Sequence, residues 1–325
     1  YAAAQTIVPS EKTNIVDSFF ISISNRNDFN GTVLVTVKDN IIYKKAFGYA
    51  NFRTKDTLTE NSIFQLASVS KQFTAVSIMM LQEKGLLAYN DDVTRFFPDF
   101  PYKGITIKLL LSHRSGLPNY MYFCDEFYKN KNVALTNLGM IDLMIKNKPP
   151  EYFPPDKKFN YCNTNYCILA AIVEKVSKVS FANFVRERIF KPIDMHYSFI
   201  GNQDSAKYAQ YVASGHDENN KPIKWDYMDG ILGDKGVFSC VNDLNKWDMA
   251  LYSGRIIKES TLAEAMKPAN GDMIGSRNYG YGWRIKFLAD NTPLFYHGGW
   301  WKGYNTYFMR NPKDHSSIII LSNKV

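Results

Sequence analysis

The sequence predicts an α/β (α+β) fold, in which an antiparallel sheet built from both ends of the chain is flanked by helices and interrupted by a helical subdomain. Alternating strand-like segments lie near the amino end, helical spacing dominates the middle, and further strand-like segments close the chain. We expect a single domain over residues 1–325. Its α/β part covers about 18–67 and 231–325, and its helical subdomain about 68–230.

The first strands are predicted as a hairpin, preceded by an amphipathic segment at residues 13–27. β-Branched residues alternate over 32–37, the turn residues Asp39 and Asn40 follow, and a second strand is expected over 41–47. Alternation on both sides of a short polar turn is typical of two paired strands.

The helical middle opens with "QLASVSKQFTAVSIMMLQEKG", residues 65–85, which is apolar on nearly every face and stops at Gly85. Lys71 lies in its first turn, three residues after Ser68 and on the same face. A serine here is commonly an N-cap and a lysine a solvated side chain. However, an ammonium conflicts with the positive end of the helix dipole, and such a conflict raises the alternative of catalysis.

A second apolar helix is predicted within "NYCILAAIVEKVSKV", and Tyr161 lies in the loop just ahead of it. Asn163 or Thr164 is the expected cap of this helix. The tripeptide Tyr-x-Asn also occurs at Tyr49, at the end of the hairpin, and at Tyr128, in a lysine-rich loop expected to be exposed. Tyr161 is therefore the candidate proton carrier.

The closing strands are "YGYGWRIKF", "PLFYHGG", "YNTYFMRNP" and "HSSIIILSN". His297-Gly298-Gly299 ends the second of them, and a glycine pair allows close backbone approach by a ligand. A structural histidine is the alternative interpretation.

Composition limits the function classes. The chain is 45% hydrophobic, which supports a large core, and its net charge is +8 with basic residues in short, interrupted blocks. This pattern predicts no nucleic-acid partner and at most a weak preference for anionic surroundings such as a cell wall. No apolar run reaches the length of a transmembrane segment.

The four cysteines form no zinc-ligand spacing, and neither a metal nor another cofactor is implied. Two disulfides are formally possible, but four buried free thiols are favoured. The cysteines are Cys124, Cys162, Cys167 and Cys240.

A reactive serine needs a base within hydrogen-bond reach and donors for the oxyanion. A lysine serves as that base only where burial and nearby positive dipoles favour its neutral form. Ser68, Lys71 and Tyr161 are therefore the candidate residues for nucleophilic catalysis.

Ser68-Val69-Ser70-Lys71, Tyr161-Cys162-Asn163 and His297-Gly298-Gly299 resemble the three motifs of the serine β-lactamase-like and penicillin-binding-protein family. The nearest branch holds class C β-lactamases, related DD-carboxypeptidases and esterases. "LLSHRSGLPNY", "GVFSCVNDLNKW" and "YGYGW" are similar to framework segments, so the resemblance spans roughly residues 18–323. It implies a β-lactamase/transpeptidase-like fold.

The resemblance also implies roles. Ser68 would be the acylated nucleophile, and Lys71 and Tyr161 would share proton transfer, which of them is the base being left open. The backbone N–H groups of Ser68 and Trp300 would form the oxyanion hole. The implied substrate-binding residues are Asn163, His297, Gly299 and Trp300.

Two departures bear on the substrate. Trp300 stands where relatives that bind a carboxylate often carry a hydroxyl, and His297 replaces a lysine whose charge is fixed. Both weaken carboxylate capture and predict weak or no β-lactamase activity. An aromatic rim is expected from Tyr120, Tyr122, Phe123, Trp301 and Tyr304.

The expected function is hydrolysis of a small ester or a D-amino-acid peptide, cell-wall-derived substrates included, through an acyl-enzyme. The alternative is a non-catalytic binder or sensor of the same fold. We expect a monomer. The start "YAAAQTIVPSEK" is consistent with signal-peptide removal or with a trimmed chain, and we expect a periplasmic or extracellular location.

Overall fold

The computed structural model describes residues 11–201, 205–269 and 278–325. The strands are β1 (Gly31–Val37), β2 (Asn40–Phe47), β3 (Tyr49–Asn51), β4 (Asp56–Thr57), β5 (Phe64–Gln65), β6 (Phe199–Ile200), β7 (Val237–Ser239), β8 (Asn278–Tyr279), β9 (Arg284–Phe287), β10 (Pro293–Trp301), β11 (Tyr304–Asn311) and β12 (Ser316–Ser322). The α-helices are α1 (Glu11–Asn25), α2 (Lys71–Glu83), α3 (Ile107–Leu111), α4 (Tyr120–Phe127), α5 (Asn137–Asn147), α6 (Asn163–Ser177), α7 (Phe181–Val185), α8 (Ser205–Tyr208), α9 (Val241–Tyr252) and α10 (Glu259–Ala265).

The main sheet has the order β2-β1-β12-β11-β10-β9-β8, and all its neighbouring strands are antiparallel. β1 lies between β2 and β12, so the two ends of the chain meet inside the sheet. Helix α1 packs on β2, and α9 packs on β1 and β12. The fold class predicted from the sequence is confirmed.

The amino-terminal hairpin forms as expected, but its turn lies one residue earlier than predicted, because Asn40 is already part of β2. β1 and β2 pair antiparallel from Gly31 opposite Phe47 to Val37 opposite Asn40. Lys38 and Asp39 turn the chain with positive φ angles, the backbone conformation that such tight two-residue turns require.

The middle of the chain is largely helical, with one difference from the expectation. Helices α2 and α6 pack against each other at its centre, and both are buried along most of their length. The short strand β6 lies inside the segment expected to be helical, and it pairs with β7 in a small sheet of order β5-β7-β6. Strands of two or three residues carry too little alternation to be recognised in a sequence.

The start of α6 also differs from the expectation. Its N-cap is Cys162, which makes no capping hydrogen bond through its side chain, so neither Asn163 nor Thr164 caps the helix. The Thr164 hydroxyl instead donates to the Pro118 carbonyl and accepts from the Tyr120 N–H, each at 2.7 Å. These bonds tie the start of α6 to the start of α4.

All four cysteines are buried free thiols, as the sequence favoured. Among the described residues, no helix combines the length and the apolar character that crossing a bilayer requires.

Candidate active site

The three sequence motifs meet at one cleft between the start of α2, the start of α6 and the end of β10. The cleft has a volume of about 320 Å³. It is lined by Ala67, Ser68, Met121, Tyr161, Asn163, Asp234, Lys235, Arg284, Gly298, Trp300 and Trp301.

Ser68 lies in a 3₁₀ turn, Ala67–Ser70, that runs directly into α2. Ala67, immediately before it, has φ of +48°, a conformation that costs energy for a residue with a Cβ and that clusters at functional sites. Ser68 is half-buried, while Lys71 at the first position of α2 is 0% exposed. The Lys71 Nζ donates to the Ser68 Oγ at 3.0 Å.

Lys71 has two further partners that hold it in place. Its Nζ donates to the Asn163 Oδ1 and to the Asp234 backbone carbonyl, each at 2.9 Å. All three N–H groups of an ammonium are thereby used. The contact with Asn163 joins the second sequence motif to the first.

Tyr161 lies beside Lys71, in the loop before α6. Its hydroxyl is buried and has no hydrogen-bond partner among the described residues. Its ring centroid lies 4.3 Å from that of His113 and 5.9 Å from that of His297. A buried hydroxyl with an unused donor and acceptor is costly unless a ligand completes it.

His297 lies behind Tyr161 rather than on the cleft surface. Its side chain is 1% exposed, its Nδ1–H donates to the Gly298 carbonyl at 2.7 Å, and its Nε2 faces the Tyr279 hydroxyl at 3.1 Å. Burial lowers the pKa of His297 well below its usual value, and the charges of Lys71 and Arg284 lower it further. The imidazole is therefore neutral near pH 7.

Gly299 is required by the protein's own backbone. A Cβ at this position would lie 2.4 Å from the Leu66 carbonyl oxygen and 2.5 Å from the Thr306 Oγ1. At Gly298 the nearest atom would be 3.7 Å away. The glycine pair was expected to let a ligand approach the backbone closely. At Gly299, however, the group that approaches is the protein's own Leu66 carbonyl, in the segment that leads to Ser68.

Trp300 lies at the mouth of the cleft and is 62% exposed. Four of the five residues expected to form an aromatic rim are buried, and of these four only Trp301 lines the cleft. Tyr120, Phe123, Trp301 and Tyr304 are buried, and Tyr122 is exposed.

Sequence reasoning missed a buried charged pair. Asp234 and Lys235 lie in a loop between Gly233 and Gly236, both of which have positive φ. The Lys235 Nζ donates to the Tyr120 Oη at 2.7 Å, and this hydroxyl donates to the Asp234 Oδ2 at 3.0 Å. The available signal was "GDKG", two charges set in an otherwise apolar segment.

Arg284, on β9, was missed as well. Its guanidinium carbon lies 5.0 Å from the ring centroid of Tyr161 and 6.0 Å from that of Tyr279. No carboxylate of the described residues pairs with it, although it lines the cleft. A cation without an acidic partner favours an anionic ligand group.

The chain is similar in sequence to relatives of known name. The chain is 36% identical over 330 residues to penicillin-binding protein 4* of Bacillus subtilis, covering 96% of this chain and 72% of that protein. It is 26% identical over 312 residues to protein flp of Staphylococcus aureus, covering 90% of this chain and 59% of that protein. The chain thus spans about three fifths of the second relative's length.

Solved structures give the same result. The octameric penicillin-binding protein homologue from Pyrococcus abyssi superposes with a TM-score of 0.83 at 26% identity, covering 96% of this chain and 73% of that one. D-amino acid amidase from Ochrobactrum anthropi superposes with a TM-score of 0.78 at 21% identity, covering 97% of this chain and 92% of that one. This similarity shows a shared fold. The profile of the Beta-lactamase family matches residues 18–325. The chain therefore belongs to the Beta-lactamase family.

Proposed function

We propose that the protein is a serine hydrolase that forms an acyl-enzyme at Ser68 while it hydrolyses an ester or an amide. The observation that carries this proposal is the 3.0 Å hydrogen bond between the Lys71 Nζ and the Ser68 Oγ. A buried amine in contact with a half-buried hydroxyl is the arrangement of a nucleophile and its base.

The chemistry uses two proton carriers. In acylation, Lys71 takes the Ser68 proton while Oγ bonds to the substrate carbonyl carbon, and the tetrahedral intermediate then expels an amine or alcohol. Tyr161, whose hydroxyl is unpartnered, returns a proton to that leaving group, and Lys71 resupplies Tyr161. Water then attacks the acyl-enzyme and releases the acid and free Ser68.

The oxyanion would be held by the backbone N–H groups of Ser68 and Trp300. Trp301 and Tyr304 close the two-residue turn of the β10–β11 hairpin. By the alternation of an antiparallel ladder, the Trp300 N–H then points away from β11. β9 pairs with β10 only as far as Tyr296, so this N–H remains free for a ligand among the described strands.

The substrate we propose is a small ester or a D-amino-acid amide or peptide, with weak or no β-lactam turnover. One structural neighbour is a D-amino acid amidase, and we include D-amino-acid amides in the proposal on the basis of that similarity. Arg284 supports an anionic group on the substrate, whereas the exposed indole of Trp300 crowds the position where relatives offer a hydroxyl. We further propose a monomer that acts outside the cytoplasm.

Mass spectrometry after incubation with a fluorophosphonate tests the proposal. We expect a single adduct on the peptide that contains Ser68, and none in the Ser68→Ala variant. Ser70, two residues away and buried, is the matched internal control, because Ser70→Ala should still be labelled. An intact protein without an adduct would favour the non-catalytic binder instead.

A further inference from the structure

Asp234 and Lys235 form a buried ion pair, and the loop that carries them contacts Lys71 through the Asp234 backbone carbonyl. Both side chains are 3% exposed. Desolvating two charges costs about as much as their attraction returns, so a buried ion pair contributes little net stability. The net stability of the ion pair therefore does not explain why it lies in the loop that contacts Lys71.

A continuous chain of hydrogen bonds runs from Lys235 to Lys71. The Lys235 Nζ donates to the Tyr120 Oη at 2.7 Å and to the Ile231 carbonyl at 3.0 Å. The Tyr120 hydroxyl donates to the Asp234 Oδ2 at 3.0 Å, and the backbone carbonyl of Asp234 accepts from the Lys71 Nζ at 2.9 Å. The position of that carbonyl therefore depends on Lys235.

Tyr120 also reaches Lys71 by a second route. Its backbone N–H donates to the Thr164 Oγ1 at 2.7 Å, and Thr164 follows Asn163, whose Oδ1 accepts from Lys71. The two groups that hold Lys71, other than the nucleophile, thus meet at one buried tyrosine. Movement of Tyr120 would displace both.

Charge gives Lys235 a second effect. A buried carboxylate close to an amine stabilises the protonated ammonium, which cannot accept a proton. Lys235 lies 3.7 Å from the Asp234 Oδ1 and is joined to Oδ2 through Tyr120, so it supplies the counter-ion that Asp234 needs. Lys71 therefore does not have to remain protonated in order to neutralise the Asp234 carboxylate.

This inference rests on the proposed acyl transfer at Ser68. We propose that Lys235, acting through Tyr120 and Asp234, is a positioning residue for Lys71: it fixes the Asp234 carbonyl and neutralises the Asp234 carboxylate, so that Lys71 can accept the Ser68 proton. Other ionisable groups near Lys71, all kept in the test variants, are Tyr161, Tyr166, His113, His297, Cys162 and Cys167, with Arg284 beyond Tyr161. The Cys167 Sγ also donates to the Asp234 Oδ1 at 3.3 Å.

The test removes the positive charge of Lys235 in one variant and the negative charge of Asp234 in another. With p-nitrophenyl butyrate, Lys235→Met should lower kcat by about 10- to 100-fold, because a misplaced base reacts slowly, while KM changes little. The acid limb of its kcat–pH profile should move to higher pH. Asp234→Asn should move that limb to lower pH, and the double variant should return it toward the wild-type position.

Tyr120→Phe isolates the connection, because it keeps the ring and removes only the joining hydroxyl. We expect a loss of kcat similar to that of Lys235→Met. Tyr102→Phe is the matched control: Tyr102 is also buried, its hydroxyl binds the Pro149 carbonyl, and it does not line the cleft. This variant should keep both kcat and the pH limb.

Wild-type kcat and pH limb in folded Lys235→Met or Tyr120→Phe would overturn the inference and leave the proposed function intact. If circular dichroism shows that Lys235→Met is unfolded, the kcat and pH limb of Tyr120→Phe and of the double variant test the inference instead. Unfolding of every variant would mean a purely structural network and would also overturn it. Failure of the proposed function looks different: the wild type would carry no adduct on Ser68, or Ser68→Ala would retain activity.

Discussion

Lys71 and Tyr161 meet as a cation and an aromatic face, with the Lys71 Nζ 4.9 Å from the ring centroid of Tyr161. The hydrogen bonds of Lys71 go to Ser68, Asn163 and Asp234 instead. The amine therefore contacts the nucleophile directly, and the phenol stands one step further away. This geometry favours Lys71 as the group that first takes the Ser68 proton.

Replacing Lys71 with Met should slow acylation by about 100- to 10,000-fold, the usual contribution of a general base. Methionine is apolar and similar in length, so it can fill the buried site and the fold should persist. Stopped-flow measurement of the p-nitrophenol burst, with circular dichroism as a folding check, would show the effect. Wild-type acylation by a folded Lys71→Met variant would give the lysine a structural role only.

Tyr161→Phe should lower turnover by a similar order, since a proton carrier is lost while the ring contacts with His113 and His297 remain. Tyr49→Phe and Tyr128→Phe are matched controls, because both residues also begin a Tyr-x-Asn tripeptide. The Tyr128 hydroxyl binds the Val133 carbonyl at 3.1 Å, so its loss should cost about 1 kcal/mol of stability and no activity. Equal kcat values for the three variants would contradict the choice of Tyr161.

Gly299→Ala should reduce both stability and acylation, whereas Gly298→Ala should leave stability unchanged, since its Cβ would meet no atom closer than 3.7 Å. The added Cβ at 299 would press on the Leu66 carbonyl at 2.4 Å and move the segment that leads into Ser68. Forced overpacking of this kind costs about 1–3 kcal/mol. Urea unfolding and the labelling rate of Ser68 measure the two effects, and indistinguishable behaviour of the two alanine variants would refute the assignment.

Stability should fall as the pH drops below the range of free histidine. Burial lowers the pKa of both His113 and His297 well below the usual value, whereas the unfolded chain titrates near 6.5. The unfolded state therefore binds more protons, so the stabilisation is complete above about pH 6.5 and is lost as the pH falls. The slope reaches at most about 1.4 kcal/mol per pH unit for each histidine.

Urea unfolding at pH 7.5, 6.5 and 5.5 would measure this slope. His297→Gln should flatten it, and His196→Gln should not, because the His196 side chain is 71% exposed. An unchanged slope in His297→Gln would contradict the burial of an uncharged imidazole.

Arg284→Met should discriminate between substrate classes. A hydrogen bond to a charged group contributes about 1.5–3 kcal/mol, so kcat/KM for a D-Ala-D-Ala peptide should fall by about 10- to 150-fold. The same ratio for uncharged p-nitrophenyl butyrate should hardly change. Lys286→Met, an exposed cation two residues further along the same strand, is the control. Equal losses for both substrates would show that Arg284 supports Tyr161 rather than an anion.

Much of the fold could be predicted because regular elements leave regular patterns. The β1–β2 hairpin followed from alternation, and α2 and α6 followed from long apolar segments. The motif residues Ser68, Lys71 and Asn163 were expected together and are joined by hydrogen bonds. A spacing of three residues at the start of a helix places Ser68 and Lys71 on the same face, so their contact could be predicted from the sequence.

The remaining features depend on tertiary packing, which local patterns do not encode. Tyr120 was expected at a rim, but its ring is fully buried because its hydroxyl is bonded within the core between Lys235 and Asp234. Arg284 is a single charge in a strand, and only the assembled sheet brings it over Tyr161. Charged residues flanked by glycines are far more often turns than catalytic supports.

The pairing of β1 with β12 has a consequence for biosynthesis. Gly31 lies opposite Ser322, so one edge of β1 has no partner until β12 has been synthesised. The β1–β2 hairpin leaves the ribosome well before that point. Contacts between residues so distant in the sequence slow folding. Until β12 is made, the unpaired edge of β1 is exposed to pairing with wrong strands.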